Sequence, residues 1–109
     1  MITAYIHLED QSKAKEIAKE LLINKLAAEV SIDFDNHVFK LNDHDTMEET
    51  VTTLITAYTK AILFEDIIKF VYDNFGNNMT IYSVPITQGN ITLSEKIRNK
   101  TKPTSHAKS

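Results

Sequence analysis

An α+β fold is predicted, with one four-stranded antiparallel sheet, two helices on one of its faces and a short C-terminal helix. Three features of the chain predict it. Apolar residues recur with period 2 in four stretches and with period 3.6 in two others, in the order β-α-β-β-α-β. Two right-handed crossovers in that order bring both helices to the same side of the sheet. The chain has 109 residues, 42% of them hydrophobic and 25% charged, which is the size and balance of one globular domain.

Ile2, Ala4, Ile6 and Leu8 alternate with Thr3, Tyr5 and His7, so the first strand is half-buried. Glu9-Asp10-Gln11-Ser12 breaks the alternation. Asp10 or Ser12 is placed to cap the following helix, whose positive end suits an acidic side chain. Over residues 13–24, Ala14, Ile17, Ala18, Leu21 and Leu22 follow helical spacing, with Lys13, Lys15, Glu16, Lys19 and Glu20 turned outward. Asn24 reads as a left-handed stop.

Alternation returns with Ala28, Val30, Ile32 and Phe34 on one face and Glu29, Ser31, Asp33 and Asp35 on the other. The next apolar set is His37, Phe39 and Leu41, so the parity slips and a bulge is expected near Asp35-Asn36. Residues 41–45 make a polar turn, and residues 50–59, rich in Thr, Val, Ile and Tyr, favour a strand. Phe64, Ile67, Ile68, Val71 and Phe75 define the second helix, which Gly76 ends. Residues 79–87 form the last strand. Its Pro85 lacks an amide donor and belongs at an edge, a strand end or a bulge. After Gln88-Gly89-Asn90, Thr92-Leu93-Ser94-Glu95 fits a capping box for a short helix with Leu93 and Ile97 on its apolar side. Residues 1–100 form the domain, and residues 101–109 are expected to be a flexible basic tail.

This element order is that of the ferredoxin-like βαββαβ sandwich. It leaves one sheet face without a cover inside the chain, and that face carries Tyr5, Tyr58 and Tyr82 among Thr and Val neighbours. An uncovered face of this kind predicts a homo-oligomer, with Tyr5, His7, Phe39, Tyr58 and Tyr82 as its interface residues.

Charge and composition exclude several classes. Residues 1–91 hold seven lysines, no arginine and 14 acidic residues, while residues 92–109 hold five basic residues and one acidic. An acidic body with a basic end is not a nucleic-acid platform, which needs a basic folded face. The absence of cysteine removes disulfides, thiolate metal sites and cysteine nucleophiles. Gly76 and Gly89 stand alone, so no glycine-rich loop cradles a phosphate, and no Ser-His-Asp context is visible. No stretch reaches the length of a membrane span. The chain enters its first strand at once, with no basic leader segment, so a cytoplasmic protein is expected.

Carboxylates and imidazoles crowd the hairpin: Asp33, Asp35, His37, Asp43, His44, Asp45, Glu48 and Glu49. These are ligand types for divalent cations. Asp33, Asp35 and His37 have i, i+2, i+4 spacing and, without a bulge, share one strand face, which makes them the candidate metal ligands. A solvated acidic turn is the competing reading. His7 has no nearby nucleophile in sequence and is read as an interface histidine.

Four stretches resemble the CutA divalent-cation-tolerance family within the wider PII-like group. They are the first strand with its helix, ending in Lys25-Leu26-Ala27-Ala28-Glu29-Val30-Ser31-Ile32; the long hairpin of residues 30–59; the amphipathic helix Phe64–Phe75; and Val84-Pro85-Ile86-Thr87-Gln88-Gly89-Asn90. The chain departs from the family pattern in three places. Glu29 stands where the family has cysteine, His37-Val38-Phe39 sits near its tyrosine–tryptophan pair, and Asn74-Phe75-Gly76-Asn77-Asn78 replaces its histidine–proline–tyrosine segment. The resemblance implies a homotrimer whose hairpins reach across subunits. It implies a non-enzymatic role linked to tolerance of copper or other divalent cations, and no cofactor beyond a weakly held cation. The alternative is a PII-like sensor binding a small anionic ligand or nucleotide between subunits. Bound phosphates need several converging basic groups, and seven lysines in the body count against that alternative. A small enzyme is the third class.

Overall fold

The computed structural model describes residues 1–103. The elements are β1 (Ile2–Leu8), a 3-10 turn (Gln11–Lys13), α1 (Ala14–Ile23), β2 (Glu29–Leu41), β3 (Met47–Thr59), a second 3-10 turn (Ala61–Leu63), α2 (Phe64–Phe75), β4 (Thr80–Pro85) and α3 (Ile91–Lys100). The sheet order is β2-β3-β1-β4, and all neighbours are antiparallel. This is the predicted ferredoxin-like architecture.

β1 carries no charged residue and takes a central place, bonded to β3 on one side and β4 on the other. Its Ala4 and Ile6 are fully buried with Ile55 and Ala57 of β3, Ile17 and Leu21 of α1, and Ile67 and Val71 of α2. Both helices therefore lie on that face. Each large side chain so buried stabilises the fold by about 1.5–3 kcal/mol. Pro85 closes β4, an edge strand, as its missing amide requires.

The predicted bulge is present. Asp33 pairs with Leu54 and Asn36 with Thr52, so Phe34 and Asp35 together oppose one residue of β3. The Asp35 amide donates to Asp33 Oδ1 at 2.9 Å, which holds the extra residue in place. β3 begins at Met47, three residues earlier than expected. Its first residues pair with Leu41, Lys40 and Phe39, and both faces of the ribbon are open there, so no buried alternation marks them. Asn42 closes the turn by accepting from the amides of His44 and Thr46, and Asp45 takes a positive φ of 59°.

Three caps differ in detail from the sequence reading. The left-handed residue after α1 is Lys25 (φ 58°), not Asn24 (φ −84°). The Leu26 amide donates to Leu21 O and the Lys25 amide to Leu22 O, a Schellman closure that places a lysine where glycine is usual. Asn24 acts through its side chain, donating to Glu20 O at 2.8 Å. Asp10 caps the 3-10 turn before α1 rather than α1 itself. Its Oδ1 accepts from the hydroxyl and amide of Ser12, bonds that lower its pKa.

α3 starts before the expected capping box. Asn90 is its N-cap and accepts from the Leu93 amide at 3.0 Å. Replacing it, Asn90→Ala, is expected to cost about 1 kcal/mol, read as a lower denaturant midpoint at unchanged slope.

α3 crosses the end of the sheet. Ser94 contacts Met1, Lys96 Nζ reaches Glu29 Oε1 at 2.7 Å, and Ile97 is 2% exposed. Glu29 and the buried Thr3 belong to the face opposite the helices, so that face is covered at this end and open beyond it. The folded body also reaches past residue 100. Thr101 is 5% exposed and donates to Ile97 O, and the Lys102 amide donates to Lys25 O at 2.8 Å. The rest of the expected tail, including His106, lies outside the described residues.

Candidate functional site

The open face gathers its aromatic residues through strand register. Tyr5 pairs with Tyr82 across β1 and β4, and His7 pairs with Thr80 one step along the same face. The Tyr5 and Tyr82 rings stack with centroids 5.2 Å apart, and His7 stacks on Tyr82 at 5.6 Å. His7 Nε2 lies 3.2 Å from the Tyr82 hydroxyl. Such ring pairs contribute about 0.5–1.5 kcal/mol each beyond their burial. Tyr82 is 44% exposed even so. Tyr58 is on the same face, opposite Thr3 and Glu29. The expected interface residues Tyr5, His7, Tyr58 and Tyr82 thus share one surface.

Phe39 is not with them. The bulge changes the parity of β2, so Phe39, with His37 and Leu41, lies on the helix-side face of the hairpin, beyond the helices, and is 58% exposed. On the open face the post-bulge residues Asn36, Val38 and Lys40 take over. Val38 and Lys40, with His7, Asn78 and Tyr82, wall a cleft of about 540 Å³.

The candidate metal ligands are split by the same bulge. Asp33 faces the open side, opposite Leu54, while His37 faces the other, opposite Val51. Asp33 accepts the Asp35 amide. Asp35 and His37 do come together, with Oδ1 to Nε2 at 3.0 Å, and Glu49 Oε2 binds the other ring nitrogen at 2.6 Å. The imidazole is held between two carboxylates at opposite edges, a geometry for an imidazolium donating from both nitrogens. Among the described residues no three His, Asp or Glu side chains converge on one point as a metal centre requires.

Glu49 carries no sequence pattern that sets it apart from the other hairpin carboxylates. The hairpin register is the signal that finds it, since it lies one step along the same face from Val51, the residue opposite His37. Its hydrogen bond is the largest cause raising the His37 pKa above the ordinary 6.5, followed by the charge of Asp35. A raised folded-state pKa means that this contribution to stability is fully present below pH 6.5. It is lost as the pH rises through the folded value. The His37 ring protons are expected to titrate above 6.5 by NMR, and Glu49→Gln to move that midpoint down. A midpoint unmoved by Glu49→Gln would refute the pairing.

Taken together, the geometry defines a ferredoxin-like domain with an extended β2–β3 hairpin and an aromatic open face. No family model matches the chain, and no curated protein matches it in sequence. Solved structures do match in fold. CutA1 from Oryza sativa is 22% identical with a TM-score of 0.79, over 93% of each chain. The divalent cation tolerance protein CutA1 from Thermus thermophilus is 23% identical with a TM-score of 0.78, over 94% of this chain and 100% of that one. The protein from Archaeoglobus fulgidus described as the periplasmic divalent cation tolerance protein CutA is 25% identical with a TM-score of 0.76, again over 94% and 100%. This chain has the fold of the CutA proteins along nearly its whole length, and the resemblance read from its residues holds at the level of the fold.

Proposed function

We propose that the chain is a divergent member of the CutA divalent-cation-tolerance family and acts without catalysing a reaction, as a cytoplasmic homotrimer. In this reading the open sheet face is the subunit interface, and a divalent cation such as copper is bound only weakly, since the bulge separates Asp33 from His37 and the His37 ring is already held by Asp35 and Glu49. The observation that carries the reading is the agreement in backbone with CutA proteins over 93–94% of the chain. The aromatic face supports it, because Tyr82 and Val84 remain 44% and 45% exposed in one copy. Among the described residues no helix is long and apolar enough to cross a membrane.

Light scattering after size exclusion, with and without chelator, tests the assembly. The expected mass is about three times the 12.4 kDa chain, and a clean monomer would overturn the reading. Calorimetry with copper, zinc, magnesium and adenine nucleotides tests the ligand. Heat with copper or zinc supports the cation reading, and heat that His37→Ala leaves unchanged would place the cation away from the bulge. Binding of a nucleotide instead would favour the PII-like sensor.

A further inference from the structure

We infer that the cleft at the end of β1 binds a free α-amino acid with an apolar side chain. This goes beyond the homotrimer reading and does not rest on it, because the walls of the cleft come from one chain.

The cleft exists because the central strand stops before its neighbours. β1 ends at Leu8, opposite Thr53, while the β2–β3 ribbon runs on to the pair Leu41 and Met47. On the other side β4 begins only at Thr80, opposite His7. The chain leaves the sheet at Glu9 and returns to it through Asn77 and Asn78. A gap of about 540 Å³ is left between the ribbon and these two segments. That volume lies within the range of small-molecule sites, about 300–1,000 Å³.

The bulge decides what the ribbon contributes. It turns Val38 and Lys40 towards the cleft, and His37 and Phe39 away from it. Val38, Leu8, Met79 and the ring of Tyr82 give the cleft an apolar surface. Lys40 and Glu9 give it one charge of each sign. Both side chains are exposed, and neither is in an ion pair among the described residues. Glu48 lies opposite Lys40 in the register, but its Oε2 accepts from the Asn42 amide group at 3.2 Å. Asn77, Asn78 and Thr50 add neutral donors and acceptors.

These groups select the ligand class. A simple carboxylate would meet Lys40 but bring its charge towards Glu9, and a simple amine would do the reverse. A sugar would use the amides and the hydroxyl and leave both charges unmatched. A nucleotide carries more negative charge than a single lysine can meet. An α-amino acid supplies an ammonium for Glu9 and a carboxylate for Lys40, and both contacts are of the stronger, charge-assisted kind. Its apolar side chain then covers Val38, Leu8 and Met79.

Calorimetry on the full chain with leucine, isocaproate and isoamylamine tests the inference. These probes share one apolar tail, and the last two lack the ammonium and the carboxylate respectively. Leucine is expected to bind about tenfold or more tighter than either. Lys40→Ala is expected to weaken leucine by about tenfold or more and to leave isoamylamine unchanged. Glu9→Gln is expected to weaken leucine by a similar factor and not to weaken isocaproate. Circular dichroism melting is the folding control for both variants, whose positions are exposed. Absence of binding by leucine, methionine and phenylalanine up to about 10 mM would overturn the inference. Equal affinity for leucine and isocaproate would overturn the zwitterion, and leucine binding that neither variant changes would overturn the site. Each of these outcomes leaves the mass of the assembly, and so the homotrimer reading, untouched.

Discussion

Ile6→Ala is expected to lower the free energy of unfolding by about 3–4 kcal/mol, within the range of buried Ile-to-Ala changes. Ile6 is 0% exposed and lies in the middle of β1, paired with Ile55 on β3 and Ile81 on β4. The ladders on both sides fix its backbone, and Ile17, Leu21, Ile67 and Val71 belong to the same core above it. A site held from three directions cannot collapse to fill the space of the lost methyl groups, so the cavity cost adds to the transfer cost. A domain of this size has roughly 5–15 kcal/mol in all, so the change removes a large share. Ile6→Val is expected to cost about 1 kcal/mol, and Ile91→Ala, at a position 72% exposed, less than about 0.5. Urea unfolding at one fixed protein concentration measures all three, since in the proposed oligomer stability depends on concentration. A loss below about 1 kcal/mol for Ile6→Ala would mean that the core is not packed around β1.

The parts legible in the sequence are those where burial is one-sided. Ile2 to Leu8 alternates because one face of β1 meets the helices, and α1 and α2 show a 3.6 period because one stripe of each meets the sheet. The bulge is legible for the same reason, since the apolar set of β2 changes parity between Phe34 and His37. Where neither face is buried the signal fails. Met47-Glu48-Glu49 carries no alternation, so the start of β3 escapes a reading by pattern, and with it the pairing of Glu49 to His37. The cap of α3 is ambiguous in sequence because Asn90 and Thr92 are both good cap residues. The contact of Ser94 with Met1 accompanies the start after Asn90. Lys25 in a left-handed conformation has no local signature, because lysine is not a residue type that favours positive φ; Schellman bonds hold it there, and the Leu26 that follows is buried. The trio Asp33, Asp35 and His37 shows the limit of spacing as a guide. Its i, i+2, i+4 pattern puts three side chains on one face only in an unbulged strand, and the bulge lies inside the trio.

The other large effect expected is on assembly. Tyr82→Lys should raise the dissociation constant of the proposed homotrimer at least a hundredfold, about 3 kcal/mol, while leaving the single subunit folded. Tyr82 is the middle ring of the Tyr5–Tyr82–His7 stack, and at 44% exposure it presents the most accessible aromatic surface of the open face. Within one copy a lysine there keeps its ammonium in water and sacrifices only the stacking and the hydroxyl contact with His7. In an interface closed over that face the same ammonium is buried. The strands β1 and β4 offer it no partner, because neither contains an acidic residue. An uncompensated buried charge costs several kcal/mol, which is why the effect falls on association and not on folding. Tyr82→Phe separates the two contributions of the side chain. It keeps the ring and loses the hydroxyl, so it should weaken association by no more than about tenfold. The measurement is subunit mass against concentration for the parent and both variants, with thermal melting of the dilute chain alongside. If Tyr82→Lys retains the parental mass down to the lowest concentration, the open face is not the interface.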